Sequence, residues 1–247
     1  MPQIRSIRLN DNEIKVLGMY AFRFIPQLQE VDLSGNLIER FMLEILDLSS
    51  NNITQLPGIE LRSMESLRTL VLARNPITVV EESQVRLDGL QMLDLSSSAL
   101  RVVEAGAFSR LPRLHSVTFA NCRDLIFVSP AAFENISVFS LDISGTGVKS
   151  LPPSLLSSVA RIRISDVPLD CGCLSEQLST ITTTTITDWS NSTCVTRRGE
   201  VMRLTIPSLS PTNLASTEQC RPSVILPFGD EVVANVGQTF KIYCAGK

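Results

Sequence analysis

The sequence predicts an α/β-type repeat solenoid, a curved stack of short coils with a parallel sheet on its concave face. Two observations predict it. A nine-residue word, LxxLxLxxN with small variations, recurs seven times, and its last position falls at Asn12, Asn36, Asn51, Asn75, Ser98, Cys122 and Thr146. The steps between these anchors are 24, 15, 24, 23, 24 and 24 residues, and a period of roughly 20 to 29 residues means that each unit buries its apolar side against its neighbours.

In order, the apolar positions are Ile4-Ile7-Leu9, Leu28-Val31-Leu33, Leu43-Leu46-Leu48, Leu67-Leu70-Leu72, Leu90-Leu93-Leu95, Leu114-Val117-Phe119 and Val138-Leu141-Ile143, with a degenerate eighth word at Val159-Ile162-Ile164. The alternating pair in each, such as Leu70 and Leu72, points inward from a short strand, and the residues between point outward. A further apolar residue follows each anchor, at Ile14, Ile38, Ile53, Ile77, Leu100, Leu125 and Val148, and closes the coil. At the anchor itself the chain turns, and an asparagine side chain can bond backbone groups stranded inside the stack. Serine, threonine and cysteine substitute more weakly, so Cys122 reads as a buried member of this ladder with a free thiol.

The chain is 247 residues long, 44% apolar and 19% charged, with a net charge of -3. It lacks the basic excess that a nucleic-acid or anionic-membrane surface needs, so no nucleic acid is expected, and a protein or glycan partner is. No apolar run of about 18 residues exists, so no membrane segment is expected in this chain. The N-terminus shows no apolar secretory h-region. Four cysteines, Cys171, Cys173, Cys194 and Cys220, follow the repeats, where a small framework can seal the last coil against water. The C-x-C spacing differs from the usual C-x-x-C of a zinc knuckle, and four cysteines permit three disulfide connectivities. Sequons at Asn52, Asn135 and Asn191 agree with an extracellular or cell-surface location.

With PLDCGC, Trp189, STC and Cys220 following the repeats, the chain resembles extracellular leucine-rich repeat proteins with a cysteine-rich C-terminal flank. The resemblance implies a horseshoe with disulfides Cys171–Cys194 and Cys173–Cys220. Such flanks continue into a short helix, which Leu174 to Leu178 fits. The tract from Thr180 to Thr187, reading TITTTTIT, is β-branched, so the helix is expected to stop early and the tract to run as extended loop or strand. O-linked sugars are the alternative use of this tract.

After Cys220 the chain looks like the opening of an immunoglobulin domain of the intermediate set. Pro222 and Pro227 suit an edge strand, Val236-Gly237 a turn, and Phe240, Ile242 and Cys244 alternate inward. A whole domain of this kind takes about 100 residues, so only its first strands are expected here. The reading is therefore repeats at 1–166, a cysteine-rich cap at 167–220 and an immunoglobulin start at 221–247. That order is similar to the leucine-rich repeat and immunoglobulin cell-surface family, including Kekkon-like receptors.

Two departures from the pattern stand out. No cysteine-rich N-terminal cap precedes Ile4, so the native product is expected to extend upstream. The 15-residue step from Asn36 to Asn51 lacks the convex return of a full coil, by native deletion or by a skipped exon. Its flanking strands can still lie about 4.8 Å apart, with Phe41 and Met42 turned inward to fill the gap.

The chain holds one histidine, His115, and no Ser/His/Asp set, metal-ligand cluster or phosphate loop surrounds it in sequence, so neither catalysis nor a cofactor is expected. The concave face is the default binding surface of a repeat stack. Its central column reads Arg8, Asp32, Asp47, Val71, Asp94, Thr118, Asp142 and Arg163. The four aspartates are either an acidic stripe for a basic partner or simply the LDLS consensus of the repeat. Beside them lie Glu30, Ile45, Met92, His115 and Phe139, of which Ile45, Met92 and Phe139 are expected to be exposed, as apolar hot spots inside a polar rim are. The resemblance implies extracellular protein recognition in adhesion or receptor control. Its runner-up is the non-catalytic front of an extracellular peroxidase or of a receptor tyrosine kinase.

Overall fold

The computed structural model describes residues 4–17, 30–32, 34–37, 40–41, 43–59, 61–174, 185–204, 220, 223–225 and 243–245. Seven parallel strands form the concave sheet in strict sequence order: Ile45–Asp47, Thr69–Val71, Met92–Asp94, Ser116–Thr118, Val138–Asp142, Val159–Arg163 and Thr185–Ile186. Their register aligns Leu46, Leu70, Leu93, Val117, Leu141, Ile162 and Ile186 in one row. Because each word repeats the same spacing, the pairing keeps every inward side chain on the core face. On the opposite side Val79–Val80, Val102–Val103 and Phe127–Val128 form a second parallel ladder. Between the two lies a continuous core in which Leu67, Leu70, Leu72, Leu90, Leu95 and Leu100 are fully buried. The Phe108 ring lies 5.0 Å from Phe133 and 6.1 Å from Phe119, so aromatic rings from successive coils fill its convex side.

One conformation recurs that the apolar pattern does not announce. The residue before each of the seven anchors is left-handed, as is Asp166 at the same place after the eighth word: Asp11, Gly35, Ser50, Arg74, Ser97, Asn121, Gly145 and Asp166 have φ between 55° and 67°. This turn aims the anchor side chain into the stack. Asn75 Nδ2 donates to Leu48 O and Leu72 O at 2.9 Å, and its Oδ1 accepts from Ile53 N–H at 3.0 Å, which joins two coils. Asn36 does the same between Leu9 O and Ile14 N–H. Thr146 Oγ1 donates only to Ile143 O, at 2.7 Å. Cys122 is fully buried with a free thiol, its Sγ donating to Leu95 O at 3.1 Å. Burial pushes the thiol above its ordinary value of 9.0, against the lowering effect of its Ser98 contacts.

At the short step, where a local gap was expected between strands that can still lie about 4.8 Å apart, the described strands fall into separate ladders. Ser6–Arg8 pairs with Glu30–Asp32, and Val16–Leu17 with Arg40–Phe41, as separate two-stranded ladders. Among the described residues, no pairing joins Glu30–Asp32 to Ile45–Asp47. The convex strand of this coil, Arg40–Phe41, is present; the chain then enters Leu43 without the return segment that elsewhere carries Phe108 or Phe133, and that segment sets the spacing of successive strands. The expected inward turn of the Phe41 and Met42 side chains lies outside the described residues.

The final coil is sealed differently. The helix Pro153–Ser157 forms the return of the seventh coil and buries Leu155 and Leu156. Thr185–Ile186, from the threonine-rich tract, pairs with Arg161–Ile162 as the last concave strand, so this part of the tract is strand. Residues 175–184 lie outside the described residues. Leu169–Asp170, Thr193–Val195 and Val201–Arg203 make a three-stranded cap sheet. Disulfides join Cys171 to Cys194 and Cys173 to Cys220, the pairing that the resemblance implied. Leu169, Leu174, Leu204 and three of those cysteines are buried beneath it. Beyond Cys220, Ser223–Ile225 pairs antiparallel with Tyr243–Ala245. The Val236-Gly237 turn and the alternation of Phe240 and Ile242 lie outside the described residues. No helix among the described residues is long and apolar enough to cross a membrane.

Candidate functional site

The parallel register places the outward residues in columns. In the central one, Asp47, Val71, Asp94, Thr118, Asp142 and Arg163 are successive neighbours, and Arg8 faces Asp32 on the separate N-terminal ladder. The aspartates are half-buried, and each carboxylate serves its own turn. Asp32 Oδ1, Asp47 Oδ1, Asp94 Oδ1 and Asp142 Oδ1 accept the backbone N–H of Ser34, Ser49, Ser96 and Ser144 at 2.8–3.0 Å. Thr118 Oγ1 does the same for Ala120 at 3.2 Å. This is the Asx-turn use of a short polar side chain, and it gives the LDLS consensus a structural cause. The Ser34 hydroxyl and N–H hold the Asp32 carboxyl below its ordinary 3.8, with a smaller contribution from Arg8. At the far end Asp142 Oδ2 lies 3.6 Å from Arg163 Nη1. The column is thus not a run of uncommitted negative charge.

The adjacent column and the strand entrances carry the exposed apolar groups. Met92 is 45% exposed and Phe139 40%. Ile45, expected to be exposed as well, is only half-exposed, where its strand pairs it with Thr69. Glu30 lies in the Glu30–Asp32 strand opposite Ser6. His115 and Phe139 enter neighbouring strands, where Phe139 N–H donates to His115 O at 3.0 Å. Their rings stack at 4.8 Å with 11° between planes. Arg161, one strand further along, folds back so that its Cζ stands 4.8 Å from the Phe139 ring centroid.

The site therefore consists of a cation, a benzene ring and an imidazole in contact across three strands. Its sequence signal was present: Ser116, Ser140 and Arg161 share one register row, so an outward Arg161 is within reach of Phe139. The diagonal fold of the arginine onto the ring is visible only in three dimensions.

Two other residues matter that the repeat words do not predict. Arg68 Nη1 donates to Glu65 O and Gly89 O, at 3.1 and 3.2 Å, and fastens the entrance of its strand. Asp188 follows the last strand, and its carboxylate accepts the Ile164 and Ser165 N–H groups and the Ser165 hydroxyl. For Ile164 it stands where a further coil would have supplied a carbonyl, and for Ser165 it replaces the turn aspartate that position 163, an arginine, does not provide. The sequon residues Asn52, Asn135 and Asn191 are all exposed and lie outside the concave strands.

The leucine-rich repeat family model matches residues 65–123, and a second leucine-rich repeat model matches residues 42–64. Residues 42–123 are leucine-rich repeats. The chain is 27% identical over 172 residues to leucine-rich repeat-containing G-protein coupled receptor 5 of Rattus norvegicus, a match covering 65% of this chain and 18% of the relative. It is 25% identical over 199 residues to Tsukushi of Gallus gallus, covering 65% of this chain and 53% of the relative. The solved TLR13–ssRNA13 complex is similar over 67% of this leucine-rich repeat chain and 25% of its own, with a TM-score of 0.49 at 22% identity. The chain spans about half or less of the length of these proteins.

Proposed function

We propose that this leucine-rich repeat chain is the recognition region of an extracellular or cell-surface protein and binds another extracellular protein through its concave face. The observation that carries this reading is the pair of exposed apolar side chains, Met92 and Phe139, on a rigid parallel sheet whose neighbouring aspartates are committed to turns. Strand register fixes where both side chains leave the sheet, and apolar and aromatic groups of this kind are enriched in the cores of protein interfaces. The two cap disulfides and the relation to extracellular leucine-rich repeat proteins support an oxidising location. In this reading residues 221–247 open an immunoglobulin module of the kind found in Kekkon-like receptors, glycans attach at Asn52, Asn135 and Asn191 away from the concave strands, and the role is adhesion or receptor control.

The test is binding of the chain to an array of purified extracellular ectodomains, repeated with Met92→Ala and Phe139→Ala. Each substitution is expected to weaken a captured ectodomain at least tenfold, since truncating a buried hot spot costs about 2 kcal/mol or more. Ile59→Ala, at an 82% exposed position off the concave strands, serves as the neutral control. Unchanged binding by both concave variants with loss in the Ile59 variant would place the interface elsewhere.

A further inference from the structure

The concave sheet is uneven in charge. Its first strands carry Glu44 and Arg68 at the entrance, the Arg68 guanidinium being held by backbone carbonyls, and Asp47 and Asp94 in the central column, while its last full strand presents Arg161 and Arg163, both exposed. The carboxylates around those arginines are engaged. Asp142 Oδ1 accepts the Ser144 N–H and, at 2.5 Å, its hydroxyl, and the Asp188 carboxylate is spent on Ile164 and Ser165. Arg163 has a long contact to Asp142 and a side chain 58% exposed. Among the described residues Arg161 forms no ion pair; its only ring contact is the face of Phe139. A guanidinium lying over an aromatic face keeps the N–H groups at its edge free, and that edge matches a carboxylate in two parallel hydrogen bonds.

We infer that the Arg161–Phe139–His115 stack, with Arg163 beside it and Met92 two strands away, anchors a short acidic and aromatic segment of a protein partner. This rests on the concave-face reading above and adds its chemistry. The partner's carboxylate takes the guanidinium edges, and its apolar side chain lies against Phe139 and Met92. Met92 and Arg161 stand in one register row, three strand spacings apart, about 14 Å at the usual strand spacing, which about four extended residues span. A long polyanion, such as a sulfated glycan, fits less well, because following the same sheet brings it onto Asp94, Asp47 and Glu44. A purely apolar segment leaves the arginines unused.

The sequence supplies its own reporters, since the chain has one histidine and one tryptophan. His115 is part of the stack, and Trp189 lies in the cap. Proton NMR at fixed pH would follow the His115 ring signals and the Trp189 indole signal of the full chain during titration with the synthetic peptide acetyl-Phe-Asp-Glu-Leu-amide. Parallel titrations would use its Asn/Gln counterpart and a heparin hexasaccharide. The expected result is a saturable shift of His115 by the acidic peptide at or below about 1 mM, with Trp189 unmoved. Affinity should fall about tenfold or more for the neutral peptide and for Arg161→Gln, as losing a charge-assisted pair predicts. Circular dichroism would confirm that the exposed Arg161→Gln change leaves the fold intact.

Equal binding of the neutral peptide, or unchanged affinity in Arg161→Gln, would overturn the acidic anchor and leave the concave reading standing. A stronger shift of His115 by the hexasaccharide would replace the peptide with a glycan. No shift at His115 with movement of Trp189 would count against the concave reading itself.

Discussion

Replacing Asn75 by alanine probes how the coils are held together. Asn75 is 2% exposed, and its amide makes three well-formed bonds: to Leu48 O in the preceding coil, to Leu72 O in its own, and from Ile53 N–H. At about 1 kcal/mol net for each, and with the Ile53 N–H then left without its acceptor, Asn75→Ala is expected to cost about 3–4 kcal/mol. Thr146 holds the equivalent place with one bond, to Ile143 O, so Thr146→Ala is expected to cost about 1 kcal/mol. Asn75→Thr should fall between them, because a hydroxyl can keep a donor but cannot also reach across the coil boundary. Urea unfolding followed by far-ultraviolet circular dichroism measures all three, with the slope checked so that a midpoint shift reports stability. A loss below about 1 kcal/mol for Asn75→Ala, or equal losses at positions 75 and 146, would refute the claim that the asparagine amide joins neighbouring coils.

Three further outcomes follow from Cys122 and Asp188. The Cys122 thiol should resist a thiol reagent in the native protein and react on unfolding. Because burial raises its folded value above 9.0, the stability it contributes is complete below the unfolded thiol value and declines as pH rises beyond that, by at most about 1.4 kcal/mol per pH unit; Cys122→Ala should flatten that decline, as pH-dependent urea midpoints would show. Asp188→Ala should cost about 2–4 kcal/mol and loosen the last coil, since it strands the Ile164 and Ser165 N–H groups; unchanged hydrogen exchange at those two amides would contradict this.

The repeat words alone fixed the chain of coils, the inward rows and the buried state of Cys122, because burial on one face of a strand demands a period of two and stacking demands a constant step. They also indicated where a break would fall, at the step from Asn36 to Asn51. What the words could not convey was its form. Whether two strands pair across a shortened coil depends on the chain length available to return over the core, and here, among the described residues, Glu30–Asp32 pairs only with Ser6–Arg8.

The same division holds at the recognition face. An outward Asp47 or Asp142 reads identically in sequence whether it faces a partner or its own turn, and only the distances to Ser49 and Ser144 N–H decide the matter. Ile45 was outward by pattern yet half-covered in the fold. Arg161 and Phe139 sit 22 residues apart in the chain and meet because parallel register brings their strands together and a long side chain can cross one strand spacing. The left-handed turn before every anchor is likewise a property of the stack, adopted by serine and arginine as well as glycine, since the tertiary bonds it makes possible outweigh its local cost of about 1 kcal/mol. Local spacing specifies which face a residue joins; the energy balance of neighbours from other coils decides what that residue then does.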